Sequence, residues 1–387
     1  MRKLKIAIIG TTGLPAKYGG FETLAHHLVK HLHDEQELTV YCSSKYFANK
    51  HQRLKSFNGA KLVYLPFNAN GYQSIIYDFI SIIHALFYAD SLLILGVSGT
   101  ILLPFIKLFS SKPIIVNIDG QEWKRPKWNW IAKKFLRLSE MIAVSFADTL
   151  ITDNRVIQEY VSREYKKKSV LIEYGADQVC KQKVTEEAII KYPFLFSSYA
   201  FNVCRIEPEN NIHLLLEAFA RHPFWNLVIV GLWNHGKYGL TLKEKYNCYP
   251  NIHLLNPIYD QDELNVIRSN ADLYVHGHSA GGTNPSLVEA MYLGLPVMAY
   301  DISYNRETTS HKALYFRNPD ELIQLLNLSG KSKLEEVGKA MYEIACVRYV
   351  WSTIAHKYHT EIMNVYNVPV IEISKNVYTD LQEELAA

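Results

Sequence analysis

The sequence predicts an α/β protein made of two doubly wound parallel sheets in tandem, and three observations carry that expectation. Short apolar runs bounded by turn residues alternate with segments of helical period along the whole chain, the pattern of parallel strands joined by crossover helices. The rhythm breaks at one polar stretch ending in Tyr192-Pro193 and then resumes as a second series. The length, 387 residues, is too great for one ordinary domain.

The first strand is read in 4–10. Its basic start imitates a secretory leader, but the apolar run Ile6 to Ile9 is far shorter than the roughly 7 to 15 residues of a leader core. Further strands are read in 38–42, 61–66, 92–96, 113–118, 149–153 and 169–173. The stretch 91–106 is the most apolar, yet Gly96, Gly99 and Pro104 break it, so it reads as strand, turn and helix and not as a membrane span. The second series comprises 199–204, 227–231, 252–255, 273–276, 296–300 and 313–316. The expected organisation is a first Rossmann-like domain in 1–175, a linker in 176–195 and a second domain in 196–348. A terminal helix in 349–366 carries Trp351, Ile354, Tyr358 and Ile362 at helical spacing, and 367–387 form a tail.

Lys plus Arg number 41 against 38 Asp plus Glu, a net charge of +3, so nothing global points to nucleic acid. The five cysteines are scattered, with no CxxC pair, which argues against a disulfide framework or a zinc site. The expected location is the cytoplasm.

Parallel sheets of this kind bind ligands at the carboxyl ends of their strands, and the chemistry-bearing residues fall there. The first strand runs into TTGLPAKYGGFE, where Gly10, Gly13, Gly19 and Gly20 let backbone approach a ligand at a helix N-terminus. The spacing is not GxGxxG, so a dinucleotide fingerprint is absent. On the helix that follows, His27 and His31 stand one turn apart and read as a solvated histidine face. In VCRIEPENN, Arg205 projects at a strand end, suited to phosphate oxygens or to a surface pair with Glu207 or Glu209. In HSAGGTNPSLVEAM, Gly281 and Gly282 lead through Thr283, Asn284, Pro285 and Ser286 into a helix, forming an anion nest. Glu289, about one turn inside, is placed to accept from a ribose diol or simply to complement the helix dipole.

With these motifs in order, and with DGQEWKR and ADTLITDN between them, the sequence resembles family 4 glycosyltransferases of GT-B architecture. The resemblance is greatest to the bacterial rhamnosyltransferase branch that builds cell-surface polysaccharides. It covers nearly the whole chain and implies donor contacts from Gly19, Gly20, Arg205, Asn210, Gly282, Thr283, Asn284, Pro285, Ser286 and Glu289. It also implies a usually retaining sugar transfer from a nucleotide diphosphate donor, with dTDP-rhamnose expected, to a lipid-linked glycan. The terminal helix would return to the first domain.

Three positions depart from the wider family: Asn210 replaces a lysine, Gly281 replaces the first glutamate of an E-x7-E pair, and Asp119 replaces a histidine. Asp119, at a first-domain strand end, is the candidate catalytic residue beside Arg205. Glu122 and Asp153 are possible sugar or acceptor contacts; Asp119-Gly120 also reads as a turn and Asp153 as a helix cap. Asp260-Gln261-Asp262 resembles a DxD metal motif but reads better as a capping box with Glu263, so no metal and no separate cofactor are expected.

Residues 123–137 hold six cations, no acid and three tryptophans. Read as a helix, they set Ile131, Phe135, Leu138 and Ile142 toward the core and Trp130, Lys133 and Arg137 outward, a face suited either to solvent or to peripheral contact with the inner membrane surface. Two alternatives to a transferase stay open: a nucleotide-sugar epimerase of the same fold and a noncatalytic assembly subunit.

Overall fold

In the computed structural model, which describes residues 2–16, 19–126 and 128–368, the first half forms an eight-stranded sheet. Its strands are β1 (Lys5–Ile9), β2 (Glu37–Ser43), β3 (Ser56–Phe57), β4 (Ala60–Leu65), β5 (Ser91–Leu95), β6 (Ile114–Asn117), β7 (Thr149–Thr152) and β8 (Val170–Leu171), in the spatial order β3-β4-β2-β1-β5-β6-β7-β8. All pairs are parallel except β3 with β4. That small hairpin was not anticipated, although Asn58-Gly59 signals it: both residues take positive φ, 42° and 77°, as a tight hairpin turn demands. Strand alternation divides the core. Ile6 and Ile8 point to one face and Ala7 and Ile9 to the other.

The crossovers are α1 (Gly20–Leu32), α2 (Gln73–Leu86), α3 (Leu103–Phe109), α4 (Trp130–Phe146) and α5 (Arg155–Tyr165). Leu24, Leu28 and Leu32 of α1 pack on the first face, and α2 to α5 cover the second.

The second half repeats the plan with six parallel strands, β9 (Tyr199–Val203), β10 (Asn226–Val230), β11 (Ile252–Leu255), β12 (Leu273–His276), β13 (Val297–Tyr300) and β14 (Leu314–Phe316), in the order β11-β10-β9-β12-β13-β14. Its helices are α6 (Glu186–Lys191), α7 (Ile212–Arg221), α8 (Lys237–Tyr246), α9 (Gln261–Ser269), α10 (Pro285–Tyr292), α11 (Ser303–Thr308), α12 (Pro319–Leu328) and α13 (Lys331–Arg348). The last helix, α14 (Trp351–Asn364), returns to the first domain. Its Trp351, Ile354, Tyr358 and Ile362 are buried in the same core as β1 and α1, and Tyr358 accepts from Asn117 Nδ2 at 2.7 Å. Of the expected tail, 369–387 lie outside the described residues.

Three readings are corrected. His27 is not on a solvated face: its ring stacks on Trp351 at 4.3 Å and 4°, and burial lowers its pKa to about 3. The capping box at α9 is half formed. Asp260 accepts from Glu263 N at 2.9 Å, but the Glu263 carboxylate is drawn away by Tyr192 Oη (2.5 Å) and Lys191 instead of returning to the cap.

The third correction concerns 123–137, in which Lys127 lies outside the described residues. Trp123 and Trp128 turn inward, donating to Glu140 Oε2 (3.1 Å) and Glu122 Oε1 (3.0 Å), and only Trp130 of the three is exposed. The buried stripe of α4 is Leu136, Ser139, Glu140, Ala143 and Val144, with Phe135 and Ile142 packed against the core as expected, whereas Ile131 and Leu138 face outward. The shift arises because buried Glu140 finds three donors, Trp123, Tyr160 and Tyr165, on the core side.

Candidate active site

The carboxyl ends of the two sheets face each other, and the loops after β1, β6, β7, β9 and β12 meet between them. Three glycines permit the approach. A Cβ on Gly120 would lie 2.8 Å from the Gly281 backbone, one on Gly282 would lie 1.9 Å from Asp153 Oδ1, and Gly20 faces Pro285 at van der Waals distance. Asp153, buried at the end of β7, accepts from Thr283 N at 3.2 Å, and Thr283 Oγ1 donates to the Asp153 carbonyl. The Asp153 carboxyl thus occupies the approach to the N-terminus of α10. Burial and the neighbouring Asp119 carboxylate push its pKa well above the ordinary value.

At that terminus Asn284 is the cap, accepting from Ser286 N at 3.1 Å and Ser286 Oγ at 2.7 Å, while Pro285 opens the helix. Gly281 takes φ of 122°, and a Cβ there would meet only open space. The departure from glutamate therefore leaves a gap in the cleft and a backbone shape that glutamate would resist.

Arg205 follows β9 and is exposed toward the cleft. Its charge helps hold down the carboxyls of Glu22 and Asp119, which burial raises, and it helps keep His278 uncharged. Glu22 lies beneath the Gly19 turn and accepts from Thr12 N at 2.7 Å, so the first glycine loop is braced by a buried carboxyl within the field of Arg205. Asn210 does not face the cleft as the lost lysine would. It is buried and donates to the Arg205 carbonyl at 2.6 Å, holding the backbone of the arginine it was expected to assist.

Asp119 sits just past β6 with φ of 57°, a left-handed conformation that Asp tolerates better than most residues, and Asn117 Oδ1 accepts its N–H at 3.0 Å. Arg125, buried in the same loop, lies 3.7 Å from Asp119 and binds Glu122 Oε2 at 2.6 Å. Glu122 is therefore engaged inside its own loop, on Arg125 and Trp128. The Arg125 charge also reaches across to the second domain, opposing the raised pKa of Glu209 and helping to lower that of His278. His278 stacks on His276 at 4.3 Å and 3°, and burial keeps both rings neutral.

Glu289 turns toward the linker and α9. Its Oε2 pairs with the buried Arg268 at 2.5 Å and its Oε1 accepts from Gln178 Nε2 at 2.6 Å. Arg125, Glu22, His278 and Gln178 were not singled out from the sequence. Glu22, Arg125 and His278 sit within quoted motifs and Gln178 in the linker, but the groups they meet across the cleft or beyond their own loop leave no trace in spacing.

Residues 3–177 match the family model described as a domain of unknown function (DUF1972), and residues 196–337 match the model for glycosyl transferases group 1. Protein CapJ of Staphylococcus aureus is 28% identical over 97 residues, covering 25% of this chain and 24% of CapJ. An uncharacterized glycosyltransferase of Haemophilus influenzae is 22% identical over 241 residues, 58% of this chain and 64% of the relative. The chain thus spans about a quarter of one relative and under two thirds of the other. Among solved structures, the sucrose-phosphate synthase of Thermosynechococcus elongatus superposes with a TM-score of 0.80 at 15% identity, over 94% of this chain and 100% of that one. Anabaena HepE in complex with UDP and glucose superposes at 0.70 with 16% identity, over 93% and 100%. The architecture is GT-B.

Proposed function

We propose that this GT-B chain, with its group 1 glycosyl transferase domain, moves a sugar from a nucleoside diphosphate donor to a glycan acceptor. The observation that carries the reading is that Arg205, whose charge acts on Asp119 of the first domain, opens on the same cleft in which Gly20 of the first domain meets Pro285 at the N-terminus of α10. A departing diphosphate gains negative charge, and a guanidinium together with the positive end of a helix dipole is an arrangement that stabilises it. The family match over 196–337 supports the activity, and HepE, solved with UDP and glucose, supports a nucleotide-sugar donor.

In this reading the bond from the sugar's anomeric carbon to diphosphate breaks, a bond to the acceptor oxygen forms, and the acceptor proton passes to the released diphosphate. Asp119 orients the sugar or the acceptor hydroxyl, with Arg125 holding the carboxylate in place. The finer proposal names dTDP-rhamnose as donor and a lipid-linked glycan as acceptor, and it rests on the motif resemblance. Because Arg205 and the helix terminus supply positive charge, transfer is proposed to need no metal.

A donor panel with a lipid-linked N-acetylglucosamine acceptor, followed by mass spectrometry with and without EDTA, tests this. A product heavier by one sugar, formed equally in EDTA, is expected. Conversion of the donor to an isomer without acceptor would make the protein an epimerase, and no turnover of any donor would make it a noncatalytic subunit.

A further inference from the structure

Helix α2 is apolar on its outer side as well as its inner one. Its buried stripe includes Ser74, Asp78 and Ser81, whereas Ile76, Phe79 and Ile83, spaced by three and four residues, face solvent. The inward polar groups have local partners: Ser98 Oγ donates to Asp78, and Ser81 Oγ donates to the Tyr77 carbonyl at 2.7 Å. The core side of the helix thus mixes these polar contacts with buried Tyr77, Ile82 and Ala85, and a second apolar row faces outward.

Its neighbours extend that surface. On α3 the side chains of Phe105, Leu108 and Phe109 are exposed, and on α4 those of Trp130, Ile131, Leu138 and Met141. The three helices cover the same sheet face, and α3 packs on α4. Lys112, just beyond α3, donates to the carbonyls of Leu86 and Ala89 at the end of α2 at 2.7 and 2.5 Å. That contact brings Phe87 and Phe109, exposed by 84% and 88%, to the same end of the layer. More than half of the large apolar side chains exposed among the described residues belong to these helices and their caps. Single exposed apolar residues are ordinary, but a layer of them marks a surface that something covers.

The exposed charges that these three helices themselves carry have one sign, although acids beside the layer pair with two of them. The acids of α2 and α4, Asp78 and Glu140, are both buried, and α3 has none. The cations are Lys107 on α3 and Lys133, Lys134 and Arg137 on α4; Lys107 reaches Asp148, Arg137 reaches Glu164, and Lys134 lies over the Trp130 ring at 4.9 Å. We propose that the outer face of α2, α3 and α4 docks on an anionic lipid bilayer, the apolar side chains entering the interfacial layer and the lysines meeting headgroup phosphates. Charge complementarity selects this occupant: a second copy would set cation against cation, whereas an anionic surface answers both the apolar and the basic residues. The purpose this gives the surface, reach to a lipid-linked acceptor, rests on the function proposed above. The binding itself does not.

The test is flotation of the full chain with vesicles of phosphatidylglycerol and phosphatidylcholine in equal parts, and with phosphatidylcholine alone. Binding to the mixed vesicles, weakened by salt and by removal of the anionic lipid, is expected. Phe87→Glu with Phe109→Glu should lower the bound fraction about tenfold while leaving the thermal midpoint unchanged. Lys133→Glu with Lys134→Glu, on a different helix, should do the same and abolish the salt dependence. Failure of the unaltered chain to float, or equal flotation of both folded variants, overturns the proposal. So does a dimer, seen by light scattering without lipid, that the phenylalanine substitutions dissociate. No turnover is measured, so failure here leaves the proposed sugar transfer standing, and absence of sugar transfer leaves the docking standing.

Discussion

Gln178 joins Glu289 to Trp351: its Nε2 donates to Glu289 Oε1 at 2.6 Å, and its Oε1 accepts from the Trp351 indole at 2.6 Å. The linker, the returning helix and the second domain's candidate ribose contact therefore meet at one side chain. Asp177 strengthens the junction by accepting from Trp351 N at 2.7 Å.

Glu289→Gln is expected to do two things. It weakens nucleoside diphosphate binding, and it removes the charge partner of Arg268, whose side chain is only 3% exposed. An uncompensated buried charge of that kind costs about 3–5 kcal/mol. Calorimetric titration and thermal unfolding should both register the change. An unaltered unfolding midpoint would show that Arg268 finds another partner, and an unaltered affinity would remove Glu289 from the donor site.

Arg205→Ala should lower transfer by two orders of magnitude or more, since a charged donor to a developing anion is worth about 3 kcal/mol. The same substitution removes one of the charges that hold down Glu22 and Asp119, so both carboxyls should titrate at higher pH. Turnover rates, together with carboxyl titration by NMR, check this; near-normal turnover in a folded variant would exclude the role.

Gly120→Ala places a methyl group 2.8 Å from the Gly281 backbone. Because backbone cannot yield as a flexible side chain can, the facing loops must separate, and transfer should fall at least tenfold while each domain stays folded. Small-angle scattering should show a more open particle. A variant with unchanged turnover would mean that this contact is not part of the working conformation.

His27→Phe keeps a ring against Trp351 but removes a titration. The His27 ring stays neutral in the folded chain down to about pH 3, whereas in the unfolded chain it takes up a proton near its ordinary 6.5. Between those values the unfolded chain binds more protons, so this histidine's contribution to stability is present above 6.5 and is lost as pH falls toward 3. The loss by pH 4 is on the order of a few kcal/mol. The drop in thermal midpoint from pH 7 to pH 4.5 should therefore be smaller in the phenylalanine variant. An identical drop in both proteins would remove His27 from the acid response.

How far the sequence could be read follows from where each signal lies. The parallel strands were legible because each carries its own evidence, a short apolar run with turn residues at both ends, as at Ile6 to Ile9. The glycine loops and the α10 terminus were legible because backbone that must approach a ligand or another loop restricts residue type locally. The periodicity of Trp351, Ile354, Tyr358 and Ile362 likewise announced a helix with a buried face, though not the core it would enter.

What tertiary structure alone decided are the pairings between segments distant in the chain. His27 and His31 at helical spacing are compatible with a solvated face, and only the arrival of Trp351 from the far end of the chain buries His27. Asn210 stands where the motif resemblance implies a lysine, yet its short amide reaches the Arg205 carbonyl and not the cleft. On α4, Leu138 and Leu136 are alike by composition, and the three donors gathered around Glu140 determine which one faces inward. Hydrophobic period and turn chemistry act within a few residues and so are written in the chain. Burial, desolvation and charge coupling depend on which surfaces meet, and that is decided only when the two sheets and the returning helix close on one another.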